Sequence, residues 1–286
     1  MGGRIDIHRF TSPDLKLRRA RIVKALKARA SRTQGPVNAF LGRSGARRIK
    51  PLWIINGIAA RVPTSLVPRL AARSMVESVE MDDVIEGPVV SPMYVGEPEW
   101  NLSAVSAPLL WDMGCRGQGT VVAAMDSGVD HLHPDLSARW RGGANGWFDP
   151  NGEHPDTPYD ATGHGTGVMG LLVGGSEGGT AIGMAPDAEW IAVKIFNDAN
   201  LASESAIHQG FQWLLDPDGD PETDDAPDVV NNSWGFEETP DQCIEGSGEV
   251  SFRLDVQTLE ASGIGVVFAA GNTGSQAYTS VSPANY

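Results

Sequence analysis

In the last two-thirds of the chain, short apolar runs alternate with amphipathic segments. Four short runs built around apolar residues predict strands, at residues 120–125, 190–195, 228–232 and 264–270. Between them, apolar side chains recur at helical spacing in residues 203–215 and 251–261. Strands that alternate with helices predict an α/β fold, in which a parallel sheet is covered by helices on both faces.

The first 86 residues carry a different pattern, which predicts a small α+β unit. Residues 14–40 mix basic and apolar positions at helical spacing, and we expect one helix or two, broken at the Gly-Pro pair that ends in Pro36. Residues 49–62 predict a strand pair or one long strand, and residues 75–81 alternate like a half-exposed strand.

Residues 87–98 separate two parts of opposite charge. This segment holds three prolines and two glycines without periodicity, which is typical of a linker, so we expect a second domain at residues 99–286. Residues 1–98 carry 17 Lys and Arg against 8 Asp and Glu, a balance of +9, whereas residues 99–286 carry 5 against 28, a balance of −23. The basic part shows no zinc-ligand spacing and no RNA-binding aromatic motif. Its acidic neighbour, rather than nucleic acid, is therefore the predicted partner.

Several classes of protein are disfavoured by simple features of the sequence. No run of 18 apolar residues occurs, so no membrane span is predicted. The first residues lack the apolar core of a signal peptide, which indicates either an internal protein or a natural N-terminus further upstream. Cys115 and Cys243 are too few for a disulfide framework, and one bridge or two free thiols both remain open.

A histidine and an aspartate occupy positions that suit acid–base chemistry. His164 lies among glycines in residues 160–170, ahead of an apolar, helix-like run, and an imidazole there can act as a general base near neutral pH. Asp126 ends the first predicted core strand, just before Gly128. The alternatives without function are an incidental histidine in a glycine-rich loop and an aspartate that shapes a turn.

Two more strand ends carry polar motifs. Ser233, Trp234 and Gly235 follow the strand of residues 228–232, and Asn272 follows the last strand. Because the carboxyl ends of parallel strands meet at one edge of a sheet, we expect these motifs to lie near Asp126. Ordinary strand-to-loop turns are the alternative for both.

In this order, the motifs resemble those of subtilisin-like serine proteases, and residues 35–86 resemble the inhibitor-type propeptide of bacillopeptidase F-like members. The resemblance implies a secreted, monomeric serine endopeptidase that acts on polypeptides and is first made as a zymogen inhibited by its own propeptide. It implies no organic cofactor and neither a nucleic-acid nor a membrane partner. The implied site has Asp126 orienting His164, Asn272 in the oxyanion hole, and Ser233, Trp234 and Gly235 along the substrate.

The sequence departs from that family at two places. Gly167 stands where relatives usually carry a second histidine, which should affect helix packing more than chemistry. No Gly-Thr-Ser-Met-Ala-like nucleophile motif follows Asn272. We therefore expect a subtilase truncated before its catalytic serine and inactive as given, with a non-catalytic peptide-binding protein as the alternative. Ser233 is disfavoured as a substitute nucleophile, because it belongs to the substrate strand.

Two further patterns suggest ligands. Residues 165–170 match a dinucleotide-binding G-x-G-x-x-G with Glu189 about 20 residues on, but that fingerprint needs a strand directly before it, and a loop is predicted there. Residues 216–225 pack six carboxylates into ten positions, and oxygen-rich loops suit Ca²⁺. We expect Asp216, Asp218 and Asp220 as Ca²⁺ ligands, with a solvated acidic loop as the alternative.

Overall fold

The computed structural model describes residues 5–89, 100–236, 252–275 and 279–285. The helices are α1 (Leu15–Arg43), α2 (Val67–Ala71), α3 (Trp100–Ala104), α4 (Ala107–Asp112), α5 (Pro134–Ser137), α6 (His164–Val173), α7 (Glu204–Leu215) and α8 (Arg253–Ala261). The strands are β1 (Arg47–Leu52), β2 (Gly57–Arg61), β3 (Val84–Glu86), β4 (Val121–Asp126), β5 (Trp147–Phe148), β6 (Glu189–Lys194), β7 (Leu201–Ser203), β8 (Val229–Asn232) and β9 (Gly265–Phe268).

Five strands form one parallel sheet in the order β5-β6-β4-β8-β9. The central strand, β4, pairs with β6 along its whole length, from Val121 beside Glu189 to Asp126 beside Lys194. The four predicted apolar runs are β4, β6, β8 and β9, so the predicted parallel sheet is confirmed. Parallel pairing brings the carboxyl ends of all five strands to one edge.

The sheet separates two hydrophobic cores, and β4 contributes to both. Ala123 and Met125 pack on one face, in the core that contains Phe211 of α7 and Leu259 of α8. Val122 and Ala124 face the other way. They share a second core with Met169 and Val173 of α6 and with Trp190 of β6. Helices therefore cover both faces, as the sequence pattern predicts.

The N-terminal region, residues 5–89, contains one long helix, which follows a single 3-10 turn at Ile7–Arg9. The expected break near Pro36 is wrong: α1 runs through Pro36 without interruption to Arg43. A proline inside a helix removes one backbone hydrogen bond, which normally kinks or ends the helix. Here, Phe40 and Leu41 on the next turn are buried against Leu66 and Leu70, and this packing keeps the last turns helical.

The strand predictions for the N-terminal region are only partly correct. β1 and β2 form the expected antiparallel pair. No strand forms at residues 75–81, where Met81 is 80% exposed and Val79 is 40% exposed. Alternating apolar side chains hold a strand in place only where another surface covers them. β3 lies slightly further on and pairs antiparallel with β7.

The N-terminal region packs closely against the rest of the chain. Val23 of α1 and Ile54 are fully buried in the core that contains α7 and α8. Backbone N–H groups of Trp53 and Ile54 donate to the Gln212 side chain, the former over 2.7 Å. Asp82 accepts from both the N–H and the hydroxyl of Ser205, at 2.9 and 2.7 Å. Ser205 lies in the first turn of α7, so this carboxylate meets the positive end of the helix dipole.

Three further expectations from the sequence concern the linker, the two cysteines and membrane-spanning helices. Residues 90–98 of the predicted linker lie outside the described residues, as does Cys243. Cys115 is exposed and free. Within the described ranges, no helix is both long and apolar enough to cross a bilayer.

Candidate active site

The two predicted acid–base residues lie in direct contact at the carboxyl edge of the sheet. Asp126 is the last residue of β4, and His164 is the first residue of α6. His164 Nδ1 lies 2.7 Å from Asp126 Oδ1. The Asp126 residue is only 1% exposed, whereas the His164 side chain is 20% exposed. The carboxylate is thus sealed behind the imidazole, which retains access to solvent.

Burial and hydrogen bonding set the ionisation of this pair. Burial raises the pKa of the Asp126 carboxyl, while the hydrogen bonds from His164 and from the N–H of Ser127 favour the carboxylate. Burial lowers the pKa of His164, but the hydrogen bond to Asp126, its negative charge and that of Asp160 more than offset this, so the pKa lies above its ordinary value. The carboxylate therefore stabilises the imidazolium form.

Close approach of α6 to the end of β4 depends on two glycines. A Cβ on Gly165 would lie 2.1 Å from the carbonyl oxygen of Gly128 and 3.1 Å from Cβ of Asp126. Gly128 itself has a φ of +120°, and its Cβ would lie 1.9 Å from the carbonyl oxygen of Tyr159. No larger residue fits at either position without moving backbone. Glycine there lets the imidazole reach the buried carboxylate.

A second carboxylate, Asp160, organises the loop that precedes α6. Its Oδ1 accepts from the Ser127 hydroxyl and from the N–H groups of Thr162 and Gly163, at 2.9, 3.1 and 3.0 Å. Its Oδ2 accepts from both the N–H and the hydroxyl of Thr166. Neither Asp160 nor Ser127 was predicted from the sequence. The N-cap of α6 is Gly163, so neither residue stands at the position where a local capping signal would indicate it.

The predicted substrate strand and oxyanion residue lie at the same edge. Ser233 is half-buried and accepts from the Asn231 side-chain amide over 2.8 Å. Trp234 is 3% exposed, and its indole packs among Phe211, Phe252 and Phe268. Its side chain therefore belongs to the core, while Ser233 and Gly235 on either side of it are half-buried. Asn272, four residues beyond the end of β9, is exposed.

Comparison with known proteins places this arrangement in a family. Residues 117–286 match the pattern described as the subtilase family. This range holds β4 to β9, Asp126 and His164. The chain belongs to the subtilase family.

Curated relatives of this subtilase are similar along most of the chain. It is 33% identical to bacillopeptidase F of Bacillus subtilis (strain 168), over 90% of this chain and 19% of that protein. It is 30% identical to subtilisin E of the same strain, over 86% and 58%, and 34% identical to an alkaline protease of Shouchella clausii, over 70% and 47%. The subtilase chain thus spans less than two thirds of the length of each of these relatives.

The sequence suggested two ligand sites, a dinucleotide-binding fingerprint at residues 165–170 and a Ca²⁺ site at residues 216–225, and the structure supports only the setting of the second. No strand occurs in residues 149–163, directly before α6, so the context that a dinucleotide-binding fingerprint requires is absent from this part of the structure. In the acidic loop of the subtilase, one oxygen each from Asp216, Asp218 and Asp225 lie within 4.8 Å of one another. Asp220 stands outside this group, and its carboxylate accepts from the N–H of Glu222 over 3.0 Å. Calcium binding is common among subtilases.

Proposed function

We propose that this chain carries the acid–base half of a serine endopeptidase, in which Asp126 orients His164 and His164 is the general base. One observation carries the proposal: His164 Nδ1 lies 2.7 Å from the buried carboxylate of Asp126. Membership of the subtilase family supports it.

The geometry supports a different role for Asp126 and for each ring nitrogen of His164. When Nδ1–H donates to Asp126, the other ring nitrogen, Nε2, is left as a proton acceptor. Removing a proton from a serine hydroxyl makes that oxygen a nucleophile for a peptide carbonyl, and the imidazolium that forms is stabilised by Asp126. The Asn272 amide is proposed to donate to the negative oxygen of the tetrahedral intermediate. The serine would come from the family's nucleophile motif, which these 286 residues do not contain.

Polypeptides are the proposed substrates, bound as an additional strand along residues 233–235. The buried Trp234 side chain supports this assignment, because it anchors the segment in the core beside the edge that carries Asp126 and His164. Recognition through main-chain hydrogen bonds tolerates many sequences, as a broadly acting endopeptidase requires.

Residues 1–86 are proposed to be an inhibitory propeptide, with residues 87–98 as the linker where self-cleavage separates it from the enzyme. Its contacts with α7, its pairing through β3 and its +9 balance against −23 support this role. Secretion as a zymogen, followed by activity as a monomer, belongs to the same proposal. A propeptide added in trans should then inhibit the active enzyme at micromolar concentration, and its association should slow as salt rises.

The test uses the complete natural reading frame that contains these residues, assayed on casein with and without phenylmethylsulfonyl fluoride. We expect cleavage that the reagent abolishes and that is lost in the His164→Ala variant. His131→Ala is the matched control, because His131 contacts the Pro158 carbonyl rather than Asp126 and should retain activity. A chain of only these 286 residues should not cleave casein. Activity that survives His164→Ala would refute the assignment.

The alternative is a subtilase-like protein that binds peptides without cleaving them. The Asp126–His164 hydrogen bond favours catalysis, because peptide binding alone does not need an oriented base. Saturable binding of casein peptides by the complete protein, with neither hydrolysis nor labelling by a fluorophosphonate, would favour this alternative.

A Ca²⁺ ion in the acidic loop is also part of the proposal. Of the three ligands predicted from the sequence, Asp216 and Asp218 lie in the carboxylate cluster, and Asp225 joins them in place of Asp220. Oxygen ligands from carboxylates and backbone carbonyls are those that Ca²⁺ prefers.

A further inference from the structure

The carboxylate cluster of the acidic loop, formed by Asp216, Asp218 and Asp225, already contacts a cation. The Lys27 ammonium, from the middle of α1, contacts Oδ2 of Asp216 and donates to the Gly219 carbonyl over 3.1 Å. The same ammonium lies 5.4 Å from the centre of the Trp53 ring. The N-terminal region therefore supplies a positive charge to an oxygen-rich site on the rest of the chain.

Asp216 is the residue of the cluster that most requires a cation. Its side chain is only 1% exposed, and its Oδ1 has no hydrogen-bond partner within the described chain. A buried carboxylate without a partner is strongly unfavourable, so removal of Lys27 would leave Asp216 in need of another positive charge. An unpartnered oxygen beside two further carboxylates is suited to a metal ion.

One ammonium does not balance the cluster. Lys27 carries a single positive charge against three carboxylates. The other basic groups nearby are engaged elsewhere: Lys24 pairs with Glu222, Arg19 lies 3.5 Å from Asp224, and Arg141 donates to the backbone carbonyl of Asp225. A divalent cation that takes oxygen ligands matches this site better than a lysine does.

We infer that Lys27 is a stand-in cation, which competes with Ca²⁺ for the cluster of Asp216, Asp218 and Asp225. Lys27 contacts Oδ2 of Asp216 while α1 is docked, so a Ca²⁺ ion bound at Oδ1, which has no partner within the described residues, would share that carboxylate with the ammonium and be repelled by its charge. Docking of α1 and binding of Ca²⁺ therefore oppose each other, and each weakens the other by the same factor. When the N-terminal region leaves, Ca²⁺ replaces the ammonium and holds the loop. This inference rests on the Ca²⁺ site proposed above, and the experiment separates the two.

The experiment titrates Ca²⁺ into the full 286-residue chain by calorimetry. Lys27→Met keeps the aliphatic stem but removes the competing charge, and we expect it to bind Ca²⁺ at least tenfold more tightly than the wild type. Lys24→Met is the matched control on the same helix. It removes one positive charge, as Lys27→Met does, but it breaks the ion pair with Glu222 instead of the contact with Asp216. It should change Ca²⁺ affinity less than threefold. Adding Asp218→Asn to Lys27→Met should remove the gain.

Hydrogen exchange on the wild-type chain gives a second measurement that needs no variant. Saturating Ca²⁺ should speed exchange of the amides around Lys27 in α1 several-fold, while the same concentration of Mg²⁺ should have a smaller effect. Equal Ca²⁺ affinity in Lys27→Met and Lys24→Met, or Ca²⁺ binding that leaves α1 exchange unchanged, overturns the competition but leaves the Ca²⁺ site. Absence of Ca²⁺ binding in every variant overturns both.

Discussion

The Ser127 hydroxyl donates to Oδ1 of Asp160 over 2.9 Å and accepts from the N–H of Gly165 over the same distance. These bonds join the turn after β4 to the loop and first turn of α6, which carry the two halves of the candidate acid–base pair. Asp160 is thereby a positioning residue, and its charge also reaches the imidazole.

Asp160→Asn should lower the pKa of His164. Burial lowers this pKa, and the negative charges of Asp126 and Asp160 raise it, so loss of one charge shifts it downward. The measurement is an NMR titration of the His164 ring protons. In the complete enzyme, the acid limb of the activity profile should move to lower pH by the same amount, because the base must be neutral. Asp156→Asn is the control, because Asp156 is an exposed residue of the same loop, and an equal pKa shift in that variant would show that the effect is not specific to Asp160.

His208→Ala should destabilise the fold by about 3–5 kcal/mol, because it leaves the fully buried Asp255 without its partner. Burial lowers the pKa of His208, but Asp255, with Glu204 and Asp82, raises it overall. The protonated form is therefore favoured in the folded state. Its stabilisation is full below the unfolded pKa of about 6.5 and is lost as pH rises through the folded pKa. Urea unfolding at several pH values measures this.

The control for His208 is a pair of the same chemistry at the surface. His154 Nε2 lies 2.9 Å from Asp198, whose side chain is 44% exposed. Exposed pairs contribute about 0–1 kcal/mol, so His154→Ala should cost far less. Comparable losses in the two variants would show that burial of Asp255 is not the cause.

Pro36→Ala should stabilise the protein. It restores an N–H in the interior of α1, where a proline costs about 3 kcal/mol. The substitution also gives the unfolded chain more conformational freedom, which reduces the gain in stability by about 0.4–1 kcal/mol. We expect a net gain of about 2 kcal/mol in the free energy of unfolding by urea. Pro68→Ala is the control, because Pro68 lies in the first turn of α2, where the missing N–H has no helical partner. A gain confined to Pro68→Ala would contradict this account.

Asp82→Ala should weaken the attachment of the N-terminal region. It removes two hydrogen bonds at the start of α7, and loss of such a cap costs about 0.5–2 kcal/mol. Limited proteolysis of the N-terminal region should become faster. Asp83→Ala is a close control, because within the described residues Asp83 contacts α7 through its backbone carbonyl, which accepts from the N–H of Glu204 and survives the substitution. Equal acceleration in both variants would argue against the cap.

The sequence predicted the elements whose periodicity coincides with burial. β4, β6, β8 and β9 lie within two residues of their predicted bounds, and Ser203 caps α7 as the start of that pattern indicates. Asp126 and His164 were predicted because a strand end and a glycine-rich helix start are local features. Their contact is a tertiary one, and the sequence predicted it only through the resemblance to a family.

Where the structure differs from the pattern of the sequence, distant residues decide the local structure. Pro36 stays helical because Leu66 and Leu70 bury the turn that follows it. Apolar and polar side chains alternate along residues 75–81, but Met81 is exposed, so no packing surface holds this segment as a strand. Asp225 enters the carboxylate cluster because the acidic loop folds back, with the N–H of Asp218 donating to its Oδ2 over 2.9 Å. Sequence spacing alone favoured Asp220.

The alternation of side chains along β4 ties the chemistry of this protein to its strand register. Asp126 has the same parity as Val122 and Ala124, which face α6, and opposite parity to Ala123 and Met125, which face α7. A slip of one residue would exchange the two cores and, at the same time, turn the carboxylate away from His164. A mispaired sheet could therefore not keep the acid–base pair. Correct pairing of β4 and an oriented histidine are acquired together or not at all.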